Sequence, residues 1–89
     1  MKKGYLDLKE GSTLCIDQTG LELRVNSLFD NGDAIVNING KILRWKKGKY
    51  CTGEGIGMYN FGRRGRGNRI HIRLEMPEDY RYHVESDKK

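Results

Sequence analysis

Proline occurs once in the 89 residues, tryptophan once and cysteine twice, and no stretch shows sustained helical periodicity. Without a 3.6-residue apolar repeat, a helical bundle is not expected. No apolar run approaches the roughly 20 residues that carry a helix across a bilayer. Met1-Lys2-Lys3 leads into Gly4 and alternating residues rather than a hydrophobic block, so no signal peptide is expected and the cytoplasm is the default compartment. In a reducing compartment Cys15 and Cys51 read as free thiols, and nothing supports a disulfide between them. Neither has a second metal ligand at useful spacing along the chain, so neither a metal nor another cofactor is expected. His71 and His83 fall on the polar parity of alternating runs, with no nucleophile or carboxylate placed to make a catalytic group. The expectation is a protein that binds rather than an enzyme.

What is present is alternation. The apolar fraction is only 36%, but its residues recur with period 2, which suits a thin-cored sheet over residues 1–89 as a single domain. A chain this small often gains stability by dimerising. Tyr5 to Lys9, Ser12 to Ile16 and Leu21 to Val25 read as the first three strands, separated by Glu10-Gly11 and by the turn at Asp17-Gln18-Thr19-Gly20. The phase slips after Asn26, which predicts a bulge or the end of the strand. Ala34 to Asn37 and Lys41 to Lys46 flank Asn39-Gly40, the signature of a two-residue type I′ hairpin. Lys41 to Lys46 places Leu43 and Trp45 on one face. Around the single proline, Ile70, Ile72 and Leu74 share a parity before it, and Tyr80, Tyr82 and Val84 share one after it. Pro77 therefore belongs at a junction between two strands. The fold class expected is all-β: a small antiparallel sheet or barrel-like domain of about six or seven short strands.

Charge is unevenly placed. The formal net charge is +5, and residues 41–73 hold ten of the 17 Lys and Arg with Glu54 as the sole acidic residue. A basic half against a mildly acidic half is the footprint of a polyanion binder, though solubility alone would account for it equally well. Between Gly53 and Gly67 six glycines interleave with Tyr59, Phe61, Arg63, Arg64 and Arg66, and the segment reads as a mobile loop or a ragged hairpin with its tip near 53–57. Gly53-Glu54-Gly55-Ile56-Gly57 lacks both the spacing and the helix of a phosphate-binding loop. Aromatic rings beside arginines offer stacking and phosphate contacts to an unpaired nucleic-acid strand; the plainer reading is a solvated, charge-rich loop.

Residues 68–85, N-R-I-H-I-R-L-E-M-P-E-D-Y-R-Y-H-V-E, resemble the C-terminal motif of the carbon storage regulator (CsrA/RsmA) family of small bacterial RNA-binding proteins. The Ile-x-Ile-x-Leu alternation, the Pro-x-Asp step and the His-x-Glu ending match in register, and the first three strands look like the family's own. The resemblance implies a homodimer with strands interleaved between protomers and RNA bound along their edges. Val84 stands where the family has its main RNA-contacting arginine, and Leu8, beside Lys9, where it has another. About 30–66 is an insertion between the family's third and fourth strands. A binding surface moved into that basic insertion is the expectation: Arg44, Trp45, Lys46, Lys47, Lys49, Tyr59, Phe61, Arg63, Arg64, Arg66, Arg69 and Arg73, with edge contacts from Lys9, Arg81 and His83. The function expected is RNA binding in the manner of a translation regulator. The alternative is an inhibitor that sequesters a small nucleotide or antagonises a host protein. No membrane partner is expected.

Overall fold

The alternation that marks the strands also sorts them into two layers. The computed structural model describes residues 1–63 and 67–86. Among these residues the chain forms nine strands and no helix: β1 (Lys2–Lys9), β2 (Thr13–Ile16), β3 (Glu22–Leu28), β4 (Ala34–Ile38), β5 (Lys41–Trp45), β6 (Tyr50–Gly53), β7 (Ile56–Arg63), β8 (Arg69–Met76) and β9 (Tyr82–Glu85). All pairings are antiparallel, in a four-stranded sheet ordered β1-β8-β7-β6 and a five-stranded sheet ordered β5-β4-β3-β2-β9. Leu8, Ile56, Met58, Ile70, Ile72, Leu74 and Met76 from the first meet Leu14, Ile16, Leu23, Val25, Val36 and Trp45 from the second in one buried core. Among the described residues no helix is long and apolar enough to cross a membrane.

Local chemistry explains the corners. Asn39 and Gly40 both take positive φ, 51° and 91°, as the type I′ turn between β4 and β5 requires. The slip after Asn26 is a bulge, where the pairing of β3 with β4 shifts between Val25 and Ser27. Pro77 lies between β8 and β9, which belong to different sheets. Its carbonyl accepts from Tyr80 N at 3.1 Å, so the proline stands where the chain leaves one layer for the other.

The strand count needs correcting. Nine strands replace six or seven because, over its described residues up to Arg63, the glycine-rich segment takes the hairpin alternative: it turns at Glu54-Gly55, inside the expected tip, where φ is 54° and 77°, and continues as β7, an interior strand of its sheet. Ile56, Met58 and Asn60 alternate inward and are buried. Gly57 lies under the Tyr50 ring, which a Cβ there would meet at an ordinary contact distance of 3.7 Å. Within residues 30–63, β4 and β5 extend one sheet, while β6 and β7 extend the other. Within the chain, β1 pairs along its whole length with β8, and β9 pairs with β2.

Candidate nucleic-acid interface

The outer face of the four-stranded sheet collects side chains from all four strands into one row. Cross-strand register places Tyr5 (β1) opposite Arg73 (β8), Arg73 opposite Tyr59 (β7), and Tyr59 opposite Tyr50 (β6). Directly paired residues share a face, so the four side chains stand side by side on the solvent side of the sheet. His71 and Phe61 form a second, partial row. Phe61 is the extra residue of a bulge in β7, where pairing passes from Asn60 to Gly62 without assigning it a partner. Gly62, at φ 95°, adopts the left-handed conformation that glycine takes without penalty.

The bulge is fastened from below. Asn60 is fully buried; its Nδ2 donates to the carbonyls of Gly32 and Trp45 at 3.1 and 3.2 Å, and its Oδ1 accepts from Gly62 N at 2.6 Å. One amide thereby fixes the chain on either side of Phe61.

The rings above touch one another. Ring centroids lie 4.8 Å apart for Tyr59 and Phe61, 5.0 Å for Tyr50 and Tyr59, 5.4 Å for Phe61 and His71, and 6.2 Å for Tyr5 and His71. Arg73 sits among them, its guanidinium carbon 5.3 Å from the Tyr59 centroid and 5.5 Å from that of Phe61. Its Nη2 donates to the Tyr50 hydroxyl at 2.7 Å, the hydroxyl donates to Glu75 Oε2 at 2.9 Å, and Arg73 Nε lies 2.8 Å from the same carboxylate. The hydrogen bond to Tyr50 is the main cause that raises the Arg73 pKa, so the cation is permanent. His71 Nδ1 lies 2.7 Å from Asp7 Oδ1. Despite these contacts the rings remain open to solvent: Tyr5 is 57% exposed, Tyr50 50% and Phe61 38%.

Cations rim the platform. Lys9 pairs with Arg69 at one end of the β1–β8 ladder, and both are exposed. With Asn68 they line a shallow cavity of about 430 Å³. On another side the Lys47-Gly48-Lys49 turn approaches Tyr59, whose hydroxyl lies 3.9 Å from where a Cβ on Gly48 would stand. The rings are not coplanar, Tyr59 standing edge-to-face with Tyr50 and Phe61 at 64° and 68°, but exposed aromatic groups around a fixed cation, with lysines and arginines beside them, can stack bases and neutralise phosphates. No protein-family model, curated protein or solved structure matches this chain.

Of the residues expected to bind, Tyr59, Phe61, Arg69, Arg73 and Lys9 come together here, with Lys47 and Lys49 at the border. Arg63 pairs with Asp30 at 3.0 Å and donates to Asn68 Oδ1 at 3.2 Å. Arg64 and Arg66 lie outside the described residues. Trp45 is not a surface group: it is 2% exposed, and its Nε1 donates to Lys49 O at 2.9 Å. Its inward parity outweighs the basic residues that flank it. Arg44 lies on the other sheet, over the Phe29 ring at 4.3 Å and paired with Asp33 at 3.0 Å, and Lys46 is exposed just beyond β5. Arg81 and His83 also belong to that side. Arg81 N donates to Gln18 Oε1, and His83 lies between Asp17 and Glu85. Sequence reasoning missed Tyr5 and His71 as members of the platform. Their outward parity was visible, but their meeting depends on β1 pairing with β8.

Proposed function

We propose that this protein binds single-stranded RNA without catalysing a reaction, and that it acts as a post-transcriptional regulator through the outer face of its four-stranded sheet. The observation that carries this reading is the Tyr5–Arg73–Tyr59–Tyr50 row with Phe61 and His71 beside it. Aromatic faces on a sheet suit unstacked bases of any identity, and a buttressed arginine among them suits both a base plane and a phosphate. The resemblance of residues 68–85 to carbon storage regulators points to the same ligand class, by a different surface. The homodimer it implies belongs to this proposal. The sheets end at β1, β6, β5 and β9, and open edges are where a second copy pairs.

The test is fluorescence anisotropy with labelled RNA oligonucleotides of increasing length, titrated at several salt concentrations. Affinity that rises with length and falls linearly in log–log form with salt supports the reading. Equal, saturable binding of a mononucleotide and a long RNA would instead support nucleotide sequestration. Binding only to a protein retained from nuclease-treated lysate would support a protein antagonist.

A further inference from the structure

The outer face of the five-stranded sheet holds a second cluster that RNA binding does not use. β2 pairs with both β3 and β9, and the register sets Cys15 opposite Glu22 on one side and His83 on the other. Glu85 follows His83 by two residues and so returns to the same face. A donor atom from each of Cys15, His83 and Glu85 lies within 4.8 Å of the others. His83 is held at both ring nitrogens: Nδ1 is 2.9 Å from Asp17 Oδ1, and Nε2 is 3.1 Å from Glu85 Oε2. Arg24, the cation on that face of β3, donates to the Gly11 carbonyl. The cluster opens onto a cavity of about 230 Å³ that Glu22 also lines.

We propose that Cys15, His83 and Glu85 bind a divalent transition-metal ion of the zinc class, with Asp17 positioning the histidine. Thiolate with imidazole selects borderline-soft ions such as zinc and disfavours magnesium or calcium. Each ring nitrogen lies within hydrogen-bond distance of a carboxylate, Nδ1 of Asp17 and Nε2 of Glu85, so a metal ion would take the place of a proton between Nε2 and the Glu85 oxygen while Asp17 keeps the Nδ1 proton. A carboxylate behind a ligating histidine is the usual way its tautomer and orientation are set. Metal–ligand bonds of about 2.0–2.3 Å place tetrahedral donors roughly 3.3–3.8 Å apart, so closure needs a shift of about 1 Å. On binding, the Cys15 thiol proton and any second imidazole proton leave to solvent; water completes the coordination. The ion would tie β9, a strand of four residues, to β2.

The test is titration of the intact protein with Co²⁺ and then Zn²⁺, followed by absorption. One equivalent of Co²⁺ should saturate a near-ultraviolet thiolate-to-cobalt band, and Zn²⁺ should displace it. Cys15→Ser should abolish the band while Cys51→Ser keeps it. His83→Gln should weaken binding at least tenfold, and Asp17→Asn by about 10–100-fold. Zn²⁺ should also raise the thermal midpoint of the unaltered protein but not of His83→Gln, a readout that does not depend on Cys15→Ser folding. Absence of saturable binding, a band that survives Cys15→Ser, or unchanged affinity in folded His83→Gln would overturn the proposal.

Discussion

The two outer faces of this molecule are built by the same rule and carry opposite chemistry. Across the four-stranded sheet runs Tyr5–Arg73–Tyr59–Tyr50. Across the five-stranded sheet the corresponding row is Glu85–Thr13–Arg24–Asn37–Ile42. The first gathers rings around a cation; the second spreads polar and oppositely charged groups and ends on the exposed Ile42. Charges follow suit, with Lys2, Lys3, Lys9, Arg63, Arg69 and Arg73 against Asp7 and Glu75 in the first set of strands, and Arg24, Lys41 and Arg44 against Glu22 and Glu85 in the second. Both inner faces are largely apolar and buried, so packing constrains them alike. The outer faces are free of that constraint, and their divergence is where function is best sought.

Trp45→Ala separates the core from the surface most sharply. It should cost about 3–5 kcal/mol of stability in urea unfolding, because the indole fills the interior; a loss below 1 kcal/mol would return Trp45 to the surface. Asn60→Ala comes next, at about 2–4 kcal/mol, since it strands two buried carbonyls and the Gly62 amide. It should also weaken RNA binding by releasing Phe61. Tyr59→Ala should cost about 1–3 kcal/mol of RNA affinity, as for one lost stacking partner. Ile42→Ala on the opposite face should change affinity less than twofold. If the two variants behave alike in the anisotropy titration, the faces do not differ in function.

The last prediction concerns pH. The Asp33 carboxylate accepts from Lys47 N at 2.9 Å and from Arg44 Nε at 3.0 Å, while its own backbone N donates to Asn31 Oδ1 at 3.0 Å. The backbone hydrogen bond from Lys47 is the main cause that holds its carboxyl below the usual carboxylate range. A pKa lowered on folding contributes stability that is complete above the unfolded value of about 3.9 and is lost as pH falls through the folded value. Asp33→Asn should therefore be less stable than the unaltered protein at neutral pH, with the gap narrowing in acid. A gap of constant size between about pH 7 and pH 2.5 would show that ionisation of Asp33 does not matter.

Much of this was visible before any fold was known. Alternation marked the strands, Asn39-Gly40 marked its turn, the lost phase after Asn26 marked a bulge, and Pro77 marked a change of strand. Those signals are local, and local geometry decides them. What alternation does not specify is partnership. Tyr5 and His71 meet because β1 pairs with β8, and Cys15 meets His83 because β2 pairs with β9. Such pairings are selected by how the buried sides fit, and spacing along the chain carries no trace of them. The glycines of β7 left loop and hairpin both open for a related reason. As a count they do not choose between them; pairing with β6 and β8 does, and Gly62 turns a bulge. Trp45 carried two signals, parity and basic neighbours, and burial followed parity.

The bulge at Phe61 bears on how this chain tolerates changes in length. On one side of it Asn60 faces Ile72, and on the other Arg63 faces Ile70. Between them Phe61 and Gly62 occupy the space of a single rung. Removing one residue elsewhere in β7 would turn the rest of the strand inside out. Removing Phe61 would leave both flanking pairs where they are and close the rung over Gly62 alone. The strand thus has a place where one residue can come or go while the interior keeps its alignment and only the outer, ring-bearing surface is rewritten.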